Sequence, residues 1–514
     1  MGLRRRIKLA ALCALAAVLL VSGSYVALVT AAFFEPQRVA SKQHPGTSDY
    51  SRLESARPAE VIVPREDVTG ATEQLAGLIR RASAEERKIS IAGSQHSMGG
   101  HTLVDAGWLI EMRSNAFRRI DPVQVQEGRA TVRVGSGATW HELLLALDRE
   151  GWSVDVMQSN DDFTVGGSIS VNCHGWNANS ESIASTVEGF TLIRADGTIA
   201  EYRRDRPEDQ ELFGAVCGGY GLLGVITAVE LRVVPNALYR AEEFSASASN
   251  YSERFRSVVV DAEQRIGFAY GRISVAPGPW FLHDARIIRF VRSSDSATAP
   301  ANTIADNGGA FGITEAEIRL ARAVFRASVG NRLGKLGRWT IERVHGQTHR
   351  TVSRNSILRT PSAWFANRDP AAVEVLHEYF VAPDRLAEFL DRARPILRHR
   401  DGTDLLNVTI RKVKQDSLTT LAYARADVFG LVMLFHYPAT SAADTVMAAK
   451  TRQLIEAALA CDGSYYLPYR RHATIEQFRR AYPDWSKFMR VKQEQDPTGV
   501  FRNAFYSTYL APEP

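Results

Sequence analysis

Three stretches of small residues, each next to a β-rich segment, carry the chemistry that this 514-residue sequence offers. They are Gly93-Ser94-Gln95-His96-Ser97, "TVGGSISVNCHGW" from Thr164 to Trp176, and "GGYGLLGVIT" from Gly218 to Thr227. Small residues expose backbone N–H groups, and successive N–H groups form concave anion sites. Three such loops that converge would bind a long, anionic, partly planar ligand, and His96 would place a nucleophilic imidazole beside it.

One glycine pattern matches a dinucleotide-binding turn but has the wrong surroundings. Gly219, Gly221 and Gly224 fit G-x-G-x-x-G, a motif that follows a strand and opens a helix, because the pyrophosphate sits on the helix N-terminus. Here "PEDQELFGAVCGG" before the motif has a helical pattern, and "GVITAVEL" after it predicts a strand. We therefore reject a Rossmann domain, and expect these glycines to let the backbone approach a ligand or a neighbouring strand.

Periodic segments predict the elements that position the loops. A helix begins after Pro64 to Asp67, and the strands "KISIAG" and "ATVRVGSG" follow it. The segment "TWHELLLALDREG" predicts a helix, and "VEGFTLIRADGTIAEY" predicts a hairpin that turns at Asp196-Gly197. Longer elements such as "LLNVTIRKV" and "FGLVMLFHY" follow Pro235. The C-terminal stretch predicts one amphipathic helix whose apolar face is Phe478, Tyr482, Trp485 and Phe488.

Charge and hydropathy predict a membrane segment near the N-terminus. The formal net charge is +5, and Arg4, Arg5, Arg6 and Lys8 supply four of these charges, so the body is not of the basic, nucleic-acid-binding type. The apolar run Leu9–Phe34 behind these cations predicts a membrane segment whose N-terminus is cytoplasmic. We favour an uncleaved signal-anchor over a cleaved signal peptide, and the adjacent arginines could also be an export signal. The body is then extracytoplasmic, either periplasmic or extracellular.

Cysteine and histidine residues do not predict a metal site. Cys173, Cys217 and Cys461 are an odd number outside the apolar run, and a chain of this size needs no disulfide framework, so buried free thiols are expected. His96 and His101 are close in sequence, but no cysteine or acidic pair completes a set of metal ligands. His141 is expected on an exposed helix position.

From these motifs the sequence resembles the vanillyl-alcohol oxidase / p-cresol methylhydroxylase (PCMH-type) flavoproteins. The resemblance covers Val61 to Pro235. The tail "YLPYRRHATIEQFRRAYPDWSKFMRVKQEQDPTGVFRN" is similar to the C-termini of aldonolactone oxidases, alditol oxidases and cytokinin dehydrogenases. The segment "LLNVTIRKV" is nearer to alditol oxidases and decaprenylphosphoryl-ribose oxidases.

Together with the N-terminal charge and composition, which predict the first two parts, the resemblance implies an α+β fold with five parts. Residues 1–35 are the signal-anchor transmembrane segment and residues 36–57 are a polar linker. A PCMH-type FAD-binding domain of two α/β subdomains follows at 58–235. A substrate, or cap, domain with a mixed antiparallel sheet occupies 236–465, and residues 466–514 return to the FAD domain.

The same resemblance assigns the cofactor-binding residues. The first loop would bind the FAD pyrophosphate and the second would line the flavin. The residues expected to bind FAD are Gly93, Ser94, Gln95, His96, Ser97, Ser159, Thr164, Gly166, Gly167, Ser170, His174, Gly175, Gly224 and Ile226. In many relatives a histidine at the position of His96 is bonded to the 8α-methyl carbon of the flavin; otherwise it is a polar loop residue hydrogen-bonded to the backbone. The stretch "QSNDDFTVGG" has no cysteine, so a second covalent attachment is not expected.

On the substrate side, alditol-oxidase-like enzymes place an arginine and a polar partner two residues earlier on the strand that faces the flavin. The matching positions are Arg411 and Thr409. Relatives often have Glu in place of Thr409, so the residue that activates the substrate hydroxyl is left open. Arg411 could stabilise negative charge on the flavin or on an alkoxide, or could simply pair with an acid. His436 is the candidate base, and Tyr469, Arg470 and Arg471 stand where several relatives carry a lysine.

A cationic stretch from Ile318 to Arg354 has two interpretations. Its cations are Arg319, Arg322, Arg326, Arg332, Lys335, Arg338, Arg343, Arg350 and Arg354, against the single acid Glu342. It could contact an anionic membrane or admit an anionic lipid-linked substrate, but such runs are more often solvated helix faces.

The function predicted from the whole sequence is a membrane-tethered FAD-dependent oxidoreductase. It would oxidise a hydroxyl-bearing carbon of an alditol, aldonolactone or sugar-like alcohol by hydride transfer to the flavin, with oxygen or a quinone as acceptor. One alternative is a non-covalent FAD dehydrogenase of a lipid-linked sugar that uses a quinone. The other is an anchored, envelope-binding scaffold that holds no flavin.

Overall fold

The computed structural model describes residues 23–34, 48–262, 265–293, 299, 301–304, 314–345, 351–399 and 401–511. The first sheet is parallel, in the order β1-β3-β2. Its strands are β1 (Glu60–Ile62), β2 (Ile89–Ala92) and β3 (Trp108–Glu111). Helix α2 (Val68–Ala84) packs Leu75 and Ile79 against the buried side chains of this sheet. Asp67 caps the helix by accepting a hydrogen bond from the Gly70 N–H at 2.6 Å.

A second, antiparallel sheet has the order β4-β5-β9-β7-β8, with β6 paired to β9. Its strands are β4 (Gln124–Gln126), β5 (Arg129–Gly135), β6 (Trp152–Val154), β7 (Val187–Ile193), β8 (Ile199–Arg203) and β9 (Val225–Pro235). The helices in this part are α3 (Trp140–Arg149), α4 (Val165–Ser170) and α5 (Gln210–Val216). Because α5 precedes and β9 follows the G-x-G-x-x-G stretch, its element order is the reverse of a Rossmann turn, as predicted.

The third sheet follows Pro235 and has the order β13-β10-β12-β11-β15-β16-β14-β17, with antiparallel neighbours. Its strands are β10 (Leu238–Ser247), β11 (Ile266–Ile273), β12 (Asp284–Arg292), β13 (Thr351–Ser353), β14 (Ala372–Val381), β15 (Asp404–Val413), β16 (Val428–Pro438) and β17 (Ser464–Tyr465). The accompanying helices are α6 (Tyr251–Phe255), α7 (Glu315–Arg326), α8 (Arg332–His345), α9 (Arg354–Leu358), α10 (Leu386–Arg398) and α11 (Ser441–Leu459). The described chain therefore has mixed α/β content.

The C-terminal stretch forms two helices where the sequence pattern predicted one. They are α12 (Ile475–Ala481) and α13 (Trp485–Gln495), and α14 (Ala504–Tyr509) follows. Pro483 causes the break, because proline has no N–H to donate and disfavours helical geometry at the residue before it. Phe478 and Phe488 are nevertheless both fully buried, so the predicted apolar face is retained across the break.

Residues 23–34, which we call α1, are the described part of the predicted membrane segment. Residues 1–22 of that segment lie outside the described residues. Within the described ranges, no helix combines the length and the apolar character that crossing a bilayer requires.

The end of the predicted linker is part of the folded body. Tyr50 donates its N–H to the Ser97 carbonyl at 3.1 Å, and Asp49 is 3% exposed. Glu54 forms ion pairs with Arg470 at 2.8 Å and with Arg471 at 2.6 Å. Residues 48–57 thus pack between the first loop and the C-terminal segment.

Ion pairs explain most of the cationic stretch. Six of its nine cations pair with carboxylates within the described residues: Arg319 with Glu315, Arg326 with Glu374, Lys335 with Asp404, Arg338 with Glu342, Arg343 with Asp284 and Arg354 with Asp155. Arg350 lies outside the described residues. The pairs with Glu374, Asp404 and Asp284 attach α7 and α8 to strands β14, β15 and β12 of the third sheet, so much of the stretch has a structural role.

A buried lysine joins the C-terminal helices to the third loop. The Lys492 ammonium, 2% exposed, donates to the Leu222 carbonyl at 2.6 Å and the Phe501 carbonyl at 2.8 Å, and it pairs with Asp496. Burial lowers the pKa of Lys492 to about 8, although Asp496 opposes this shift. The pair fixes α13 against the loop that precedes β9.

We predict that Lys492→Met destabilises the protein by about 3–5 kcal/mol, because it leaves the Asp496 carboxylate buried without its cation. Chemical denaturation of the two proteins measures this. The control is Arg490→Met on the same helix, which removes an exposed cation paired with Glu211 and should leave the unfolding midpoint nearly unchanged. Equal midpoints for both variants would contradict the prediction.

Candidate functional site

The three small-residue loops meet in space through backbone contacts. A Cβ atom at Gly93 would lie 2.1 Å from the Thr164 Oγ1, so the first loop touches the second directly. The Gly218 and Tyr220 N–H groups of the third loop donate to the carbonyls of Ile169 and Ser170, at 2.9 and 2.8 Å. The convergence predicted from the sequence is therefore present.

The first loop contains a backbone conformation that occurs in anion nests. Gln95 adopts a left-handed backbone conformation, with φ of 55°. Its neighbours Ser94 and His96 are half-buried. Alternation of right- and left-handed residues points successive N–H groups to one side. The Ser94 Oγ is buried and has no hydrogen-bond partner among the described residues. This loop thus offers polar hydrogens to a ligand that the protein itself does not supply.

The second loop supplies both small residues and a short helix. Thr164 is buried at the start of α4, Gly167 is exposed, and the Ser170 Oγ donates to the Gly166 carbonyl at 2.8 Å. A Cβ at Gly175 would lie 2.0 Å from the Met157 carbonyl oxygen. Close approach of the chain to itself requires glycine at this position.

Gly224 and Ile226, the two residues of the third loop that were predicted to bind the cofactor, pack against the second sheet. Gly224 has φ of 147° and abuts the Ile193 carbonyl, since a Cβ there would lie 2.6 Å from that oxygen. Ile226 is 7% exposed and pairs with Leu192 across β9 and β7. Both residues join the loop to the second sheet.

His96 is held between two aromatic rings. Its imidazole stacks on Phe163 with centroids 4.1 Å apart and lies 5.0 Å from the ring of Tyr50. The Nε2 atom is 3.7 Å from the Asp162 carboxylate. Burial lowers the pKa of His96, and the opposing effect of Asp162 does not reverse the shift. The imidazole is therefore neutral and nucleophilic at neutral pH.

Arg411 connects the third sheet to the second loop. Its guanidinium donates to the Ser159 Oγ at 2.7 Å and to the His174 carbonyl at 3.5 Å. Three predicted site residues from both sides of Pro235 are thus in contact. Thr409, two residues earlier on β15, shares the face of Arg411 and accepts a hydrogen bond from the Asn407 amide at 3.1 Å.

His436 is distant from this contact. It lies on β16 six residues beyond Gly430, the residue paired with Arg411, which corresponds to roughly 20 Å along the strand. Its Nδ1 is 3.4 Å from Glu374, which also pairs with Arg326. The structure therefore brings Thr409 and Arg411 together and separates His436 from them.

Tyr469, Arg470 and Arg471, which stand where several relatives carry a lysine, differ in their surroundings. Arg470 is buried among Asp49, Glu54 and Asp444, and Arg471 pairs with Glu54, so both guanidinium groups serve structural ion pairs. Tyr469 is half-buried, and its carbonyl lies against Gly99, beside the first loop.

Other histidines and the cysteines have structural surroundings. His101 is packed between Tyr220 and Phe505, and burial lowers its pKa to about 3. The His141 Nδ1 is 2.8 Å from Asp161. Cys173, Cys217 and Cys461 are buried and free, as predicted.

Several residues of the site were missed from the sequence. Tyr50, Asp162 and Phe163 surround His96, and Glu378 lies 2.8 Å from the His174 Nε2. Phe163 and Asp162 stand directly before the second loop, so their position was a usable signal. Tyr50 and Glu378 carry no local signal, because only tertiary folding brings them to the site.

A flavin dinucleotide fits the residues present. Around the first two loops, the Ser94 Oγ, the Ser136 Oγ and the Asp162 Oδ1 are buried without a hydrogen-bond partner among the described residues. Buried polar atoms normally have partners, so these donors and acceptors indicate a polar ligand. The hydroxyl and diphosphate groups of FAD are of the required kind, and the neutral His96 and cationic Arg411 suit its ring system.

Comparison with known proteins agrees with this assignment. Residues 68–203 match the FAD binding domain family, and residues 470–509 match the D-arabinono-1,4-lactone oxidase family. The chain is 30% identical over 194 residues to cytokinin dehydrogenase 7 of Oryza sativa subsp. japonica, covering 37% of this chain and 35% of that protein. It is 28% identical over 189 residues to D-arabinono-1,4-lactone oxidase of Eremothecium gossypii, covering 36% and 34%.

A third relative is L-gulonolactone oxidase of Mus musculus, 30% identical over 154 residues, with 30% of this chain and 33% of that protein covered. The chain thus matches about a third of the length of each of these relatives. The matched families are those whose motifs carried the resemblance, so the prediction of an FAD-binding domain of this type is confirmed.

We predict that Gly93→Ala weakens both folding and ligand retention at the loops. The new methyl group would force the Thr164 hydroxyl to move, a kind of overpacking that costs about 1–3 kcal/mol. Thermal unfolding and bound-flavin content measure the two effects. Gly77→Ala on α2, where a Cβ has a single neighbour at 4.0 Å, is the control and should be neutral or stabilising. Unaltered flavin content in Gly93→Ala would contradict the prediction.

Proposed function

We propose that this chain, a member of the PCMH-type superfamily of FAD-dependent oxidoreductases, oxidises a hydroxyl-bearing carbon of a small sugar-like alcohol or lactone. The observation that supports this most directly is the contact of Arg411 with Ser159 and His174, which sets a fixed cation against the flavin-lining loop. The names of the relatives, two lactone oxidases among them, support the aldonolactone-oxidase type.

The bound flavin supplies the redox chemistry by accepting a hydride from the substrate carbon. Arg411 contributes a preorganised positive charge, which stabilises negative charge that develops at the reacting groups. Ser159 and the His174 carbonyl hold two guanidinium nitrogens, so the cation needs little reorganisation during the reaction. Thr409, which accepts from the Asn407 amide, orients a substrate hydroxyl but cannot take its proton as a carboxylate would, since an alcohol oxygen is not basic at neutral pH.

Anaerobic mixing with candidate substrates tests this function. The purified protein should show the visible absorbance of bound flavin, and alditols or aldonolactones should bleach it. Arg411→Met should slow bleaching by about 10²–10³-fold while flavin remains bound. The control Arg133→Met, which removes a cation exposed on β5, should bleach at the original rate. A colourless protein without flavin would overturn the proposal and favour the envelope-binding scaffold.

The flavin is proposed to be attached covalently through His96. The neutral imidazole presents Nε2 to Asp162, and its Nδ1 has no hydrogen-bond partner among the described residues. His96 would hold the flavin at its 8α-methyl carbon; the N–C bond would replace the imidazole N–H and one methyl C–H, and the two protons and two electrons released would reduce oxygen to hydrogen peroxide.

Acid precipitation and intact mass measure this attachment. The original protein should retain flavin in the precipitate and carry the mass of one FAD, and His96→Ala should release all of its flavin. His141→Ala, which removes the imidazole paired with Asp161, should retain it. Flavin released from the unaltered protein would favour the non-covalent dehydrogenase that uses a quinone.

Membrane tethering outside the cytoplasm is also proposed, on the charge and hydropathy of residues 1–34. Within α1, Tyr25, Leu28, Val29 and Ala32 are half-buried on one side, and the Tyr25 ring lies over Gly337 of α8. The opposite side exposes Val26, Phe33 and Phe34. Near α1, Val344 of α8 is 75% exposed. Exposed apolar side chains of this kind are suited to contact with lipid.

We predict that a polarity-sensitive fluorophore on Val344→Cys shifts to shorter emission wavelength when the full chain, with Cys13→Ser, is mixed with phosphatidylcholine–phosphatidylglycerol vesicles. Cys173, Cys217 and Cys461 are buried and should not be labelled. The control site is Val125→Cys, 59% exposed on β4, whose label should stay in water. Identical spectra at the two sites would refute the proposed contact of Val344 with lipid.

A further inference from the structure

We propose that Glu378 is a positioning residue for Arg411 and acts through His174. The inference rests on the proposed function, because it concerns how the cation that faces the flavin is held. The carboxylate of Glu378 lies on the third sheet, whereas His174 belongs to the second loop, on the other side of Pro235. Their contact joins the two halves of the site.

Strand register brings Glu378 beside Arg411. Thr409 pairs with Val432 on β16, and Val432 pairs with Glu378 on β14, so the three residues form one row on one face of the sheet. In the next row, Arg411 pairs with Gly430. A Cβ at Gly430 would lie 2.7 Å from the Glu378 Oε1. The Glu378 carboxylate therefore occupies the space that a side chain at position 430, beside Arg411, would fill.

The partner of this carboxylate is the imidazole of His174. The Glu378 Oε1 is 2.8 Å from the His174 Nε2, and the two side chains are 1% and 3% exposed. The rings of Phe380, Tyr423 and Tyr466 surround the imidazole at 5.6 to 5.9 Å. The two atoms are in close contact although their alignment is not that of a hydrogen bond, and burial among these rings restricts the orientation of both side chains.

The backbone carbonyl of His174 also holds the guanidinium of Arg411. The His174 carbonyl accepts from one guanidinium nitrogen at 3.5 Å, and Ser159 accepts from another. Fixing the imidazole fixes the loop conformation that points this carbonyl at Arg411. Glu378 is 2% exposed and Arg411 is half-buried, so the proposed role of this carboxylate is to position the cation.

Two readouts separate positioning from simple packing. In Glu378→Gln, loss of the charge should loosen the second loop, and hydrogen exchange of the amides in residues 172–178 should accelerate by about tenfold. The reduction potential of the bound flavin should become more negative, because a displaced Arg411 stabilises the reduced form less. A tenfold loss of that preference corresponds to about 30 mV for a two-electron couple.

The sign of the potential shift is decisive. Removing a negative charge near the flavin, with no movement of Arg411, would leave the potential unchanged or make it more positive. The control is Glu243→Gln, which removes a carboxylate from an ion pair with Arg286 on the same sheet and should change neither readout. His174→Gln tests the pair from its other side, and the double variant should resemble each single one.

Unaltered exchange, or a potential that stays or rises, would overturn the proposal. If Glu378→Gln does not fold, His174→Gln carries the same two tests. The exchange measurement needs no flavin, so a protein without flavin would end the proposed function while the Glu378–His174 contact is still tested. Faster exchange with an unshifted potential would also overturn it, because Arg411 would then be held independently of the loop.

Discussion

Direct contact between backbone segments of three loops is the constraint on which the rest of the structure depends. At Gly93 and Gly175 the chain approaches its neighbours more closely than any Cβ atom allows. Glycine at such positions increases the entropy lost on folding. That cost is offset by hydrogen bonds between the loops and by burial of the surrounding elements. The way these loops meet depends on positions that carry no side chain, which is why the glycine clusters were the informative part of the sequence.

The third sheet is attached to this surface through buried polar groups. Asn172 donates to Asp416 at 2.7 Å, and its carbonyl accepts from the Tyr423 hydroxyl at 2.9 Å. Arg354 reaches the Val154 carbonyl at 2.9 Å from the other end of the interface. Hydrogen bonds in a buried setting are directional, so they specify one relative orientation where apolar packing alone would allow several. Most of these hydrogen bonds are made by the second loop. This loop therefore fixes the orientation of the third sheet relative to the loops that are proposed to bind the flavin.

Sequence patterns predicted the parts of the fold that depend on neighbours along the chain. Helix α3 has its capping box at Thr139 and Glu142, and the β7–β8 hairpin turns at Gly197 with a positive φ, so each element was recognisable from its own residues. The break before α13 was also signalled, by Pro483, but the strong apolar face concealed it. Contacts such as Tyr50 with His96 and Glu378 with His174 could not be predicted, since no periodicity relates residues so far apart. The loops were thus predictable from the sequence, whereas the side chains that contact His96 and His174 from distant parts of the chain were not.

The cationic stretch shows how tertiary pairing decides between two interpretations of one composition. A run of cations with a single acid suggested a free basic surface, yet Glu374, Asp404 and Asp284 come from distant strands to neutralise it. The helices still expose charged side chains, since Arg319 on α7 is 65% and Arg343 on α8 is 53% exposed, beside apolar ones such as Leu320 at 53% and Phe34 of α1 at 75%. In the proposed membrane contact, burial of apolar area and attraction to anionic lipid therefore both contribute. Such a contact weakens only in part as ionic strength rises, because salt screens the charges but does not weaken the hydrophobic effect.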